Sequence, residues 1–214
     1  DGVYQGRSYS ADVPLLGLES VELLRGPQGT LFGKNTETGA ISLNTRKPTE
    51  DFQAEVGAEY GRYEMGKFTG YVNGALTDTL FASASASYQQ GDGYYDNIFL
   101  NKDVGDRDTT AGRAQLRWLP SDMFDIRLSG DYAKKNSDQP LATNADLEPY
   151  KTQQNYVTTD DSKNWGTALT ADVFLDGDYT LTSISAFRHN EFETLADDDY
   201  TSLELVSVNF NEDS

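Results

Sequence analysis

The chain has 214 residues, no cysteine, one histidine and a formal charge of −18. Without cysteine there are no disulfides and no thiolate metal sites, which leaves the compartment open. So acidic a balance excludes nucleic acid as a partner, because nothing would neutralise a run of phosphates. No apolar stretch approaches the roughly 18 residues of a membrane helix, although a β-barrel would cross with short alternating strands whose hydropathy signal is weak.

The chain opens on Asp1-Gly2-Val3-Tyr4, without an initiator methionine or a signal peptide. It closes on Glu212-Asp213-Ser214 with no strand to finish on, so both ends read as cut. Between positions 21 and 41, glycines and a proline punctuate two apolar, strand-like runs: Val21-Glu22-Leu23-Leu24-Arg25-Gly26-Pro27-Gln28-Gly29-Thr30-Leu31-Phe32-Gly33-Lys34-Asn35, then Gly39-Ala40-Ile41. Gly26-Pro27-Gln28-Gly29 predicts a type I turn, with Pro27 supplying the fixed φ at its second position. A phosphate-binding loop is excluded: Gln28 stands where its first glycine is needed, and Asn35 replaces the hydroxyl after Gly33-Lys34.

This run resembles the end of the plug domain of TonB-dependent outer-membrane receptors. It departs from the family pattern at Leu23, Phe32, Thr38 and Ser42. Asp1-Gly2-Val3-Tyr4 matches a plug strand of the same family. The resemblance implies an all-β fold: a transmembrane antiparallel β-barrel of twenty-two strands preceded by a plug. It places the C-terminal part of the plug at 1–48 and the first barrel strands, about seven, at 49–214.

Beyond Lys47-Pro48 the period changes to two. The runs 52–60, 68–76, 80–88, 112–118, 124–132 and 165–175 each put apolar residues at alternate positions, and 179–192 forms a seventh set of unset phase. Each approaches the roughly nine to eleven residues of a tilted membrane strand. A soluble antiparallel sheet has the same period, but two features favour a barrel. Phe52, Tyr60, Phe68, Tyr88, Trp118, Phe124, Tyr132 and Trp165 lie near strand ends, like an aromatic girdle. Tight turns at Thr77-Asp78-Thr79, Pro120-Ser121-Asp122 and Asp176-Gly177-Asp178 alternate with long polar loops at 90–110 and 133–163.

The resemblance implies energised uptake of a scarce ligand, most often a ferric siderophore and in some members cobalamin or a glycan. The partners it implies are the inner-membrane TonB complex, outer-membrane lipid and a small-molecule ligand, with the bacterial outer membrane as the location. The TonB box of such receptors lies near the plug's N-terminus and is not in this chain. In the family an arginine at the position of Arg25 pairs with barrel-wall carboxylates and helps to lock the plug, a role that suits a latch. The other reading of Arg25 is a solvated, turn-stabilising residue. Gly26, Pro27, Gly29 and Gly33 are assigned to backbone geometry, and Glu22 to a solvated strand position.

Tyr94, Tyr95 and Phe99, in the first long loop, are candidates for stacking on a catecholate or a sugar; packing on one another is the alternative. Asp197, Asp198 and Asp199 invite a calcium reading, but their spacing fits no known loop and a charge run is ordinarily solvated. His189 lacks partners at metal-ligand spacing and reads as structural. No nucleophile–base order and no carboxylate pair in an apolar setting suggests catalysis or a cofactor. Two other classes account for less of the sequence. A soluble glycan-binding β-sandwich leaves the Arg25-Gly26-Pro27 motif unexplained, and a diffusion porin has no plug.

Overall fold

A computed structural model describes residues 1–5, 16–33, 35–138, 147–197, 202–203 and 207–213. Strands β1 (Leu18–Arg25) and β2 (Gly39–Thr45) form an antiparallel hairpin with Leu23 opposite Ile41 and Arg25 opposite Gly39. Its tip holds a single helical turn, α1 (Gly29–Phe32). No bond from the Gly29 N–H to the Gly26 carbonyl closes the turn expected at the tip, among the described residues. The Gly26 and Gln28 N–H groups donate across the hairpin to the Thr38 and Thr36 carbonyls, at 3.2 and 2.9 Å. Pro27 lies between those two donors, at a position where the ladder needs no N–H.

The remaining strands are β3 (Gln53–Tyr60), β4 (Gly66–Ala75), β5 (Leu80–Gly91), β6 (Tyr95–Asn97), β7 (Lys102–Val104), β8 (Arg107–Ser121), β9 (Phe124–Asp138), β10 (Lys151–Thr152), β11 (Thr159–Leu175), β12 (Tyr179–Asp197) and β13 (Ser207–Asp213). Eight of them make one antiparallel meander in the order β3-β4-β5-β8-β9-β11-β12-β13. That is one strand more than the alternation predicts. In β13 only Val208 and Phe210 alternate with polar neighbours, a stripe of two residues that is too short to be read as a membrane strand.

The registers align two opposed faces across the sheet. Val72, Ala84, Ala114 and Gly130 form one continuous row, and Ala82, Leu116, Leu128 and Leu169 another; both are apolar and outward-facing. Val56, on the same face, is 83% exposed. The phase of β12 is now fixed: Tyr179, Leu181, Phe187 and His189 share the register of Leu175, Val173, Thr167 and Trp165. The opposite face carries Asn73, Ser83, Arg113, Arg117, Asp125, Arg127 and Asp131, and the β1–β2 hairpin lies against it. The apolar rows meet no second sheet among the described residues, which removes the β-sandwich reading. The fold is an outer-membrane β-barrel wall with a hairpin on its lumen side.

All three tight turns fall at one end of the sheet. At the other end the strands run past the girdle: Tyr132 is followed by six further residues of β9, and Trp165 is preceded by six of β11. The long loops are therefore shorter than 90–110 and 133–163. The ladder continues where the apolar phase stops, because above the girdle both faces meet water. Parts of the loops that remain, β6, β7 and β10, form a small sheet in the order β10-β6-β7. Asp198 and Asp199 lie outside the described residues, as does the side chain of Asp197, so the calcium reading falls there too.

Candidate functional site

The hairpin motif places its residues as follows. Gly26 and Gly33 have φ of +82° and +77°, the left-handed region that glycine enters at little cost. Gly29 opens α1, and Gly33 closes it with an N–H bond to the Gly29 carbonyl at 3.1 Å. Pro27 is exposed. Arg25 is exposed at the end of β1 and makes no ion pair among the described residues. The Gln28 amide caps its carbonyl at 3.3 Å. Glu22 is exposed and accepts a bond from Asn44 Nδ2 at 3.3 Å. The motif is joined to the first residues of the chain through Asn35 Nδ2 and the Tyr4 hydroxyl, 2.5 Å apart.

Contacts to the wall come from residues that sequence reasoning missed. Asp1 accepts from the Thr45 N–H at 2.9 Å, from Thr45 Oγ1 at 2.8 Å and from Arg113 Nη2 at 2.6 Å. Gln115 Nε2 donates to Thr45 Oγ1 and to the Arg46 carbonyl, both at 3.2 Å. Arg117 Nη1 donates to the Pro48 carbonyl at 3.2 Å while its other nitrogens grip Asp125 at 3.0 and 3.1 Å. Arg46 pairs with Glu55 and lies 5.1 Å from the centroid of the Tyr71 ring. Among the described residues, Asp125 and Asp172 face Arg127, and Asp131 faces Arg188 and Arg113, so these three carboxylates are matched without Arg25. Arg113, Gln115 and Arg117 occupy alternate positions of β8, a polar phase rich in donors, and that spacing was the available signal.

At the other end of the sheet, the loops form a tyrosine cup. Tyr94 packs on Tyr63, Tyr95 and Tyr150, with centroids 5.4, 4.6 and 5.8 Å away. Phe99 is exposed in the β6–β7 turn and has no ring contact among the described residues, so the three candidate rings are not one group. Beside the cup lies a cavity of about 570 Å³, lined by Arg62, Arg107, Asp106 and Asp138 as well as Tyr94 and Tyr95. A hydrogen bond to Tyr94 holds the Tyr95 phenol above its usual pKa. Burial, partly offset by Lys102, does the same for the Asp138 carboxyl. The cup stands on Asn97, which is fully buried: its Nδ2 donates to the Gln154 carbonyl at 3.0 Å, and its Oδ1 accepts the Phe99 and Leu100 N–H groups at 3.1 and 3.0 Å.

Among the described residues no group of three His, Cys, Asp or Glu is placed to hold a metal ion. His189 stacks 5.5 Å from Trp165 and lies 2.9 Å from Glu191. The arrangement can hold and release a polar hairpin at one level and present aromatic rings at another.

No family model matches the chain. Over 126 residues it is 35% identical to the pesticin receptor of Yersinia pestis, a match covering 57% of this chain and 18% of that receptor. Over 79 residues it is 32% identical to the catecholate siderophore receptor Fiu of Escherichia coli, covering 37% of this chain and 10% of the relative. In fold it is similar to the crystal structure of the ferric yersiniabactin uptake receptor FyuA from Yersinia pestis. The TM-score is 0.77 at 22% identity, covering 84% of this chain and 29% of that one. The chain thus spans less than a third of the length of these proteins.

Proposed function

We propose that the chain is part of a TonB-dependent outer-membrane receptor, and that the whole protein imports a ferric siderophore across the bacterial outer membrane by energised transport. The observation that carries this reading is the β1–β2 hairpin, with its Arg25-Gly26-Pro27 motif, held against the polar face of an outer-membrane barrel wall. A diffusion porin has no use for such a hairpin. The relatives are receptors and transporters in name, which supports a binding and transport role over an enzymatic one.

In this reading residues 1–48 belong to the plug and 49–214 to the barrel, with Pro48 as the joint. Gly26, Pro27, Gly29 and Gly33 shape the plug tip, and Arg25 serves the latch. The TonB complex supplies the pull. Tyr94 and Tyr95 contact cargo at the extracellular cup, where a planar catecholate or phenolate would stack on the exposed rings. Phe99, apart from the cup, contacts only cargo that extends to the β6–β7 turn.

The test is binding of radioactive ferric siderophores of the catecholate, hydroxamate and phenolate classes to iron-starved cells carrying the intact gene or a deletion. One class should bind only when the gene is present. Equal binding by both strains across all three classes would refute the proposal.

A further inference from the structure

Two guanidinium groups converge on one wall carboxylate. Arg188 Nη1 lies 2.8 Å from both Asp131 oxygens, and Arg113 Nη1 lies 3.7 Å from the same residue. Arg188 reaches there from β12 across β11 because the intervening residue is Gly166. A Cβ at that position would stand 2.7 Å from Arg188 Cδ and 2.7 Å from the Phe187 carbonyl. Arg113 completes its pairing elsewhere, with Asp1 at 2.6 Å, and the Asp1 carboxylate is in turn bonded to Thr45 of the hairpin. The wall thus carries two cations around one carboxylate of its own, and the second carboxylate belongs to the plug. Arg117 differs, because its partner Asp125 is on the wall.

Among the described residues, the polar atoms around this pair are incompletely used. Arg113 Nε and Arg188 Nε are buried without acceptors. One row further toward the extracellular end, Asn164 is 1% exposed, with neither its amide nitrogen nor its oxygen paired. Asn190, opposite it, has an unpaired Oδ1, and Ser87 in the same row has an unpaired Oγ. Folded proteins leave few such groups, and a cluster of them calls for an occupant.

We infer that Arg113, Arg188 and Asn164 form an anion-accepting subsite on the barrel wall, of which the plug's Asp1 carboxylate holds only Arg113 when the plug is seated and which an oxyanion of the cargo fills once it moves. Hairpin displacement removes one carboxylate from two arginines and leaves a net positive charge facing the lumen. Because the cargo's oxyanion replaces Asp1, the buried cation need not stay unpaired, a state that would oppose opening. The subsite rests on the reading of the protein as a gated importer.

Ser87→Cys supplies the probe, since the Ser87 hydroxyl has no bond to lose and is 3% exposed. In outer-membrane vesicles holding the full-length receptor, its reaction rates with an anionic sulfonate thiosulfonate and a cationic trimethylammonium thiosulfonate are compared. Asp1→Asn should raise the anion-to-cation rate ratio, and Arg113→Gln should lower it. Each variant alters one unit charge, which at about 8 Å in water shifts the ratio about fivefold in its own direction. Arg113→Lys should retain the parental ratio, which separates charge from structure. A ratio unchanged by Asp1→Asn or by Arg113→Gln overturns the inference. So does a cysteine that stays unreactive in every variant, since the Asp1–Arg113 pair would then not control access to this wall. The ratio does not depend on cargo. A receptor that imports no iron but shows the shift would refute the proposed function alone.

Discussion

Replacing Arg117 by methionine would test how the joint between hairpin and wall is held. Met keeps the length of the side chain and removes its charge. The change strands the Asp125 carboxylate, whose side chain is 5% exposed, with only Arg127 at 3.6 Å, and frees the carbonyl of the fully buried Pro48. Removing one partner of a buried pair costs about 3–5 kcal/mol, and a freed buried acceptor about 1–3 kcal/mol. With Arg127 retaining part of the attraction, a net loss of roughly 2–4 kcal/mol in local stability is expected. The reporter is hydrogen exchange of the Thr49 amide, which donates to Asn73 Oδ1 at 3.1 Å beside the joint. At about 1.4 kcal/mol per tenfold, exchange should quicken by roughly 30-fold to several hundred-fold. Adding Asp125→Asn should recover part of the loss. Less than a threefold change would mean that Arg117 is not what holds Pro48 to the wall.

Leu128→Arg, at the centre of the outward apolar row, should lower the folded fraction in lipid vesicles by about 2–4 kcal/mol. Ser129→Arg, one residue along and lumen-facing, should not, and equal effects would contradict the assigned faces. Asn97→Ala removes three hydrogen bonds from the base of the tyrosine cup and should speed exchange of the β6 and β7 amides at least tenfold. Because burial raises the Asp138 pKa in the folded state, its contribution to stability is fully present below the unfolded value and is lost as pH rises through the raised value. Asp138→Asn should therefore steady the cup at neutral pH and make no difference at strongly acid pH, as read by proteolysis of the loops. Tyr94→Ala should weaken siderophore binding to cells at least tenfold more than Phe99→Ala does.

The wall was legible because its two faces meet different solvents. Residues 80–88 alternate Leu, Ala, Ala, Ala, Tyr against Phe and serine, and the register confirms each of those positions. The signal ended where the difference between solvents ended. The upper parts of β9 and β11 pair Asn136 with Asp161 and Lys134 with Lys163, so neither phase is apolar and their ladder left no trace in hydropathy. The site was less legible. Its plug tip came from a glycine and proline pattern that backbone geometry dictates, whereas its anchors join residues up to 112 apart in sequence, Asp1 with Arg113. Arg25 drew notice as part of a motif. Arg113 and Arg117 are ordinary arginines until the register sets them beside Asp1 and Pro48.

Uptake of radioactive iron, presented as the siderophore that binds, is the most direct measurement. It should be followed in iron-starved cells with the gene intact or deleted, before and after collapse of the proton gradient. Accumulation that requires both the gene and the gradient is the predicted result. Accumulation that requires the gene but continues unchanged after collapse would contradict energised transport through a plugged barrel.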